Sequence, residues 1–193
     1  FSLFVIQFFK NGIPGLYKEI RQVLDTIPTE ESVKAICEIM DDYYQTENPY
    51  DKIEILYPIV YKFPNSILAN TLMAYTYYEA KYWGNSVAYF EKLEKFEDTL
   101  LMYPSDNFFS KGWAYSRMNE HSNAAESYQY ALELEPEYEN ALNNLGWEYY
   151  KLKKYSKALK VFEQCLKEGR DVQFAANNYV RTLLAMKRYQ DAE

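Results

Sequence analysis

The sequence predicts an all-α chain built as a stack of antiparallel helix pairs. Three observations predict it. Only 6 glycines and 7 prolines occur among 193 residues, too few turn formers for many short strands. Apolar residues recur at spacings of 3, 4 and 7, the period of a helix with one buried face. Finally, Leu142, Leu145, Gly146, Tyr149, Ala158 and Phe162 have counterparts 34 positions earlier in Phe108, Lys111, Gly112, Tyr115, Ala124 and Tyr128. The same step forward reaches Ala176, Tyr179, Val180, Leu183 and Ala192. A fixed period of this length marks a repeat array.

Residues 1–32 show no clear repeat. Asn11-Gly-Ile-Pro-Gly15 reads as a turn between two short helices, an irregular helix pair or the remnant of a preceding region, and a strand over residues 2–9 is the alternative. Thr29-Glu-Glu-Ser32 reads as a helix start, with acids in the first turn facing the positive end of the dipole. Residues 33–66 form a weak unit through Ile36, Ile39, Tyr43, Ile59 and Pro64. Pro58 inside it predicts a kink or an early helix end. Residues 67–100 form a moderate unit through Met73, Ala74, Tyr77, Ser86, Phe90 and Leu93. Leu101 to Pro104 are an insertion. Residues 105–138 and 139–172 carry the complete pattern, and residues 173–193 carry it until they stop. Pro64, Pro104 and Pro136 read as helix terminators. Gly112, Gly146 and Ala74 sit where the first helix of a pair must let the second approach, and Ala124 and Ala158 occupy the facing positions. One pair cannot bury its own apolar faces, so stability must come from stacking neighbours.

The pattern of a large apolar residue, Leu-Gly, Tyr, Ala, an aromatic and a closing Pro resembles the tetratricopeptide repeat (TPR). The resemblance spans about 160 residues and is strongest over the last 90. It implies a right-handed superhelical solenoid whose first helices line a concave groove.

Composition and motifs exclude most chemistry. Net charge is −7, against a nucleic-acid partner, because phosphate binding needs a basic face. The seven basic residues from Lys151 to Arg170 read as a solvated helix face. Cys37 and Cys165 have neither metal spacing nor a disulfide framework, which suits a reducing, cytoplasmic setting. Cys165 reads as a small buried hydrophobe, while Glu38 and Asp41 beside Cys37 oppose an activated thiol. His121, the one histidine, reads as a solvated turn residue. Phosphate-binding loops, dinucleotide fingerprints and nucleophile elbows are missing. No run approaches a membrane span, and the apolar opening Phe1–Phe9 is a poor signal peptide, lacking a basic leader. The expectation is a non-enzyme without metal or cofactor.

The resemblance assigns unit positions 2, 5, 6, 9, 12 and 13 to the groove. These give Tyr75 and Tyr78, then Phe109, Trp113 and Arg117. Asn143, Asn144, Trp147, Tyr150 and Lys151 follow, and then Asn177, Asn178 and Arg181. Trp113 and Trp147 share position 9 of successive units and offer flat contact area of low entropic cost; packing is their alternative role. Asn143-Asn144 and Asn177-Asn178 repeat as pairs, and a carboxamide donates and accepts as one peptide unit requires. Arg117, Lys151 and Arg181 add positive charge to the same face. Family domains that capture the acidic tails of chaperones carry Lys or Arg at positions 2, 5 and 6. This chain has Thr71, Phe109, Asn143 and Asn177 at position 5, and Leu68, Asp106, Asn140 and Phe174 at position 2. That clamp is absent.

The expected partner is therefore a protein or extended peptide segment with an acidic group, held by a non-catalytic scaffold. Two alternatives stand beside this reading: a regulatory or targeting segment of a larger enzyme or peptide-responsive regulator, and a structural spacer with a self-filled groove. Oligomerisation through the C-terminal helix is a further expectation.

Overall fold

The computed structural model describes residues 30–95 and 104–190. These form α1 (Glu30–Gln45), α2 (Pro49–Lys62), α3 (Ile67–Glu79), α4 (Trp83–Glu94), α5 (Pro104–Arg117), α6 (His121–Leu134), α7 (Glu139–Lys151), α8 (Tyr155–Glu168) and α9 (Val172–Gln190). Among the described residues there is no strand. Each helix packs on its chain neighbours, and α9 also touches α7. The result is an all-α solenoid of antiparallel pairs, with α1, α3, α5, α7 and α9 as first helices. The expected structure of residues 1–28 lies outside the described residues.

Local chemistry accounts for the helix ends. Asn48 caps α2 by accepting from the Tyr50 amide at 3.0 Å, Pro49 takes the first helical position, and Asp51 follows in the first turn. Ser66 caps α3 by accepting from the Ala69 amide at 3.3 Å. Gly169 ends α8 with φ +72, a left-handed conformation that costs glycine nothing. Three turns within pairs close the same way. The amides of Tyr82, Glu120 and Lys154 donate to the carbonyls of Tyr77, Tyr115 and Tyr149, each at 2.9 Å. The residue before each donor is left-handed: Lys81 at φ 62, Asn119 at φ 61 and Lys153 at φ 59.

The core explains the period. Gly112 lies against the Tyr128 ring, and Gly146 against the Phe162 ring. A Cβ on Gly146 would stand 2.6 Å from Phe162 Cε1, and one on Gly112 2.9 Å from Tyr128 Cε1. Both contacts are closer than carbon atoms approach. Ala124, Ala131, Ala158 and Cys165 are fully buried in the same layer. Polar links one repeat apart tie successive units together. Tyr43 Oη and Thr76 Oγ1 lie 2.8 Å apart, and the Arg170 guanidinium donates to the Pro136 carbonyl at 2.9 Å. Lys111, standing where the next unit has Leu145, is buried and paired with Glu94 over the Phe108 ring.

Three expectations need correction. α2 runs unbroken through Pro58 to Lys62, so the helix does not end early. A proline removes only one internal hydrogen bond, and buried Leu56, Ile59 and Val60 hold the turn on either side. Pro104 opens α5 rather than ending a helix, a position where the missing N–H is unpaired anyway. His121 is not a solvated turn residue. It begins α6, and its Nδ1 lies 2.7 Å from Glu148 Oε2 on α7.

Candidate functional site

The first helices carry all thirteen residues expected to line a groove, and the structure sorts them by environment. Tyr75, Tyr78 and Phe109 are engaged in packing. The Tyr75 hydroxyl donates to Asn107 Oδ1 at 2.9 Å, and its ring meets Phe90 edge-on at 5.3 Å. Burial, with Asp106 adding to it, pushes the Tyr75 hydroxyl pKa well up. Tyr78 stands edge-on to Trp83 at 5.5 Å. Phe109 tilts against Tyr128 and Tyr138 at 5.6 and 5.1 Å.

The two expected tryptophans differ. Trp113 is 37% exposed. Trp147 is half-buried and belongs to a cluster built by two successive first helices. Its indole stacks on Tyr150, one turn along α7, with centroids 5.2 Å apart and planes at 24°. Lys151 Nζ lies 5.8 Å from the same ring, and the Arg181 guanidinium reaches across from α9 to 5.5 Å. Cations over an indole are drawn to its negative face. The cluster thus presents a flat ring with two positive groups beside it. Arg117 makes a similar contact with Trp83, 6.0 Å from the ring. That tryptophan opens α4, so its place on a second helix hid it from a reading confined to first helices.

The asparagine pairs also divide. Asn143 is only 3% exposed, and neither atom of its carboxamide has a hydrogen-bond partner. Asn178 is 4% exposed with Nδ2 unpartnered, and Asn107, on the first helix α5, likewise has an unpartnered Nδ2. Asn144 is half-buried and Asn177 exposed. Buried polar groups normally find partners, and on three successive first helices a buried asparagine keeps an unpartnered Nδ2, with Oδ1 of Asn143 unpartnered as well.

Glu148 is the polar residue that sequence reasoning missed. At 1% exposure it accepts from Ser116 Oγ at 2.6 Å and meets His121 at 2.7 Å. It joins α7 to the end of α5 and the start of α6. In the sequence it is one acid among many on a helix, and only the pairing of His121 and Ser116 with it 27 and 32 residues later would have marked it. Nucleophile chemistry finds no support at the cysteines. Cys165 is buried and its thiol is pushed up to about 11, chiefly by burial; burial and then Glu38 raise Cys37. Among the described residues no group of histidine, cysteine and acidic side chains could hold a metal, and no helix is long and apolar enough to cross a membrane. The basic stretch runs from the end of α7 through the turn and along α8, where Lys157, Lys160 and Lys167 are exposed.

Comparison with known proteins follows the repeat. The family model of the tetratricopeptide repeat matches residues 105–138 and again residues 139–169. A search of curated protein sequences gives no match. Among solved structures, the protein MamA superposes with a TM-score of 0.63 at 15% identity, over 82% of this chain and 89% of MamA. The TPR2B domain of yeast Sti1, solved as a complex with pHsp70, gives 0.52 at 14% identity over 62% of this chain and 97% of the domain. The Sgt2 TPR domain from Aspergillus fumigatus gives 0.52 at 18% identity, over 62% and 79%. At these identities the likeness is one of fold.

Proposed function

The chain is a tetratricopeptide-repeat protein, and on that premise we propose that it is a non-catalytic scaffold that binds an extended peptide segment along its first helices. The observation that carries this reading is the Trp147 cluster. An indole backed by Tyr150 and flanked by Lys151 and Arg181 offers one surface for an apolar side chain and two cations for a carboxylate. A ligand with an acidic group next to an apolar one matches it. Trp113 extends the platform one repeat earlier. Asn144, half-buried, supplies a main-chain contact, while Asn178 at 4% exposure and Asn143 at 3% are too buried to meet a ligand directly. The complex of the Sti1 domain with pHsp70 supports the idea that this fold receives peptides. The absence of Lys or Arg at positions 2 and 5 directs this chain to a different ligand. Cytoplasmic residence accords with two free cysteines.

A second reading is favoured by one feature of α9. Val180, Leu183 and Leu184 are 55, 42 and 57% exposed, an apolar face suited to further protein, as in a regulatory or targeting segment of a larger assembly.

Selection from a random peptide library on the intact chain tests the main reading. Selected peptides should carry acidic residues and bind more weakly as salt rises. Trp147→Ala should change which peptides are selected. Replacing Asn144 with Ala should weaken all of them alike, by about 1 kcal/mol. Peptides that bind both variants as well as the native chain would place recognition elsewhere.

A further inference from the structure

Charge is divided between the two ends of the described solenoid. Each helix packs on its chain neighbours, so α1 and α9 are those ends. Residues 30–54, at the α1 end, hold eight acids against Lys34 and Lys52. Residues 151–190, at the α9 end, hold ten lysines and arginines against three acids. Two of the three are engaged: Glu163 accepts from the Tyr179 hydroxyl at 3.1 Å, and Glu168 pairs with Arg170 at 2.9 Å. α9 itself carries no acid. Both ends also leave a helix face uncovered. On α9, Val180, Leu183 and Leu184 are exposed with Lys187 beside them. One repeat earlier, Gly146 and Tyr149 hold the places of Val180 and Leu183, and both are buried, Gly146 against the Phe162 ring of α8. Val180 fills the place such a ring would take, so whatever covers α9 needs a smaller group there. On α1, Cys37, Glu38, Asp41 and Asp42 are exposed, and Met40 and Tyr44 are half-buried at the border of that face. Cys37 and Asp41 stand one turn apart on a single stripe.

We propose that the α9 end of one copy docks on the α1 end of the next, so that the chain stacks head to tail. The proposal rests on the reading of α9 as an open protein-binding face and names what covers it. Opposite charge at the two ends of one molecule steers copies into this orientation. Lys187 meets the acids Glu38, Asp41 and Asp42. The small Cys37 leaves room for Val180, while Met40 and Tyr44 offer apolar area to Leu183 and Leu184. A two-fold contact is disfavoured, because α9 on α9 would gather cations on a helix without an acid, and α1 on α1 would gather acids. The contact is therefore between unlike surfaces, which leaves a free end on each side and produces runs of copies rather than a closed dimer. The net charge of −7 does not forbid it. Exposed charges more than about 8–10 Å apart are screened at physiological salt, so the groups that face one another decide.

Sedimentation of the intact chain tests this. The mean mass should rise with concentration at low salt, and added salt should reverse the rise. Leu184→Glu, at the α9 end, and the double variant Glu38→Lys/Asp41→Lys, at the α1 end, should each remain monomeric. All three positions are exposed, so circular dichroism should show both variants folded. Each variant keeps one intact end, so mixing the two should restore a one-to-one pair that grows no further. Trp147→Ala should associate as the native chain does, which separates this contact from the groove. A native chain that stays monomeric at low salt overturns the proposal and leaves α9 open to a different protein. Association that the α1 variant retains and Leu184→Glu loses also overturns it, since α9 would then pair in some other way. Association that survives Leu184→Glu removes both the proposal and the reading of α9 as an interface. Insensitivity to salt, a mixture that stays monomeric, or loss on Trp147→Ala would each overturn the head-to-tail contact.

Discussion

Gly146 on α7 and Phe162 on α8 are held so close that any side chain at the glycine would enter the ring, 2.6 Å from Cε1. Gly112 and Tyr128 repeat the relationship one unit earlier. The glycine sets how near the two helices of a pair can lie. Gly146→Ala should therefore destabilise the chain by about 1–3 kcal/mol through overpacking, because Phe162 is fully buried and has nowhere to retreat. Gly84→Ala, in open space within α4, should instead stabilise by a few tenths of a kcal/mol, up to about 1. Urea unfolding of the two variants measures the opposite signs.

The left-handed turn residues are a reserve of stability. Lys81 and Lys153 hold φ values of 62 and 59, which a side chain tolerates poorly. Lys81→Gly and Lys153→Gly should each raise stability by about 0.5–1 kcal/mol. Asn119→Gly should gain less, since asparagine visits this region more readily. Shifts in the urea midpoint without a change of slope would verify the ranking.

Glu148 should be among the costliest polar residues to remove. Glu148→Ala strands Ser116 and His121 and should cost about 2–4 kcal/mol. Glu148→Gln should cost roughly half as much, because a carboxamide oxygen still accepts from Ser116. Combining Glu148→Ala with His121→Ala should cost less than the sum of the two. A double-mutant cycle in denaturant reads this coupling.

Alkali should unfold the chain through its buried tyrosines. Tyr43 is 5% exposed, and burial pushes its hydroxyl from 10.0 up to about 12, against the opposing hydrogen bond from Thr76. The folded state binds this proton more tightly than the unfolded state. Its contribution is complete below pH 10, declines as pH rises, and is gone above about pH 12. The amount is on the order of 2 kcal/mol. Tyr115, Tyr128 and Tyr138 are raised further, each first by burial, so they add to the same alkaline loss. Tyr43→Phe should start about 1 kcal/mol less stable at neutral pH and lose less on going to high pH. Urea midpoints followed across that range decide it.

The repeat was legible because its determinants are residue sizes at fixed spacing. Gly112, Gly146, Ala124 and Ala158 are small where two helices meet closely, and their recurrence every 34 residues is visible in the sequence. Helix ends were less legible where two rules competed. Pro58 obeys the rule against internal proline less than it obeys the burial of Leu56, Ile59 and Val60 around it. Pro104 could close one helix or open the next, and nothing local distinguishes the two. At the candidate site, the likeness between Trp113 and Trp147 was visible, but their difference depends on Arg181 arriving from the next unit. Asn143 and Asn144 are neighbours of the same type, and only helix rotation decides which is buried. Glu148 was hidden for the same reason, since burial of a polar side chain leaves no periodic signal of its own.

Every helix finds its main packing partner immediately before or after it in the chain. Closing such contacts spans few residues, so the entropy lost before they stabilise one another is small. A chain of this kind needs no distant segment to complete its first core. As it leaves the ribosome, α1 can dock on α2 while the later units are still unmade, and each new helix adds to an existing template. Assembly in the order of synthesis is therefore written into the spacing of the contacts, and the tight pair α5–α6 is ready as a nucleus well before α9 is translated.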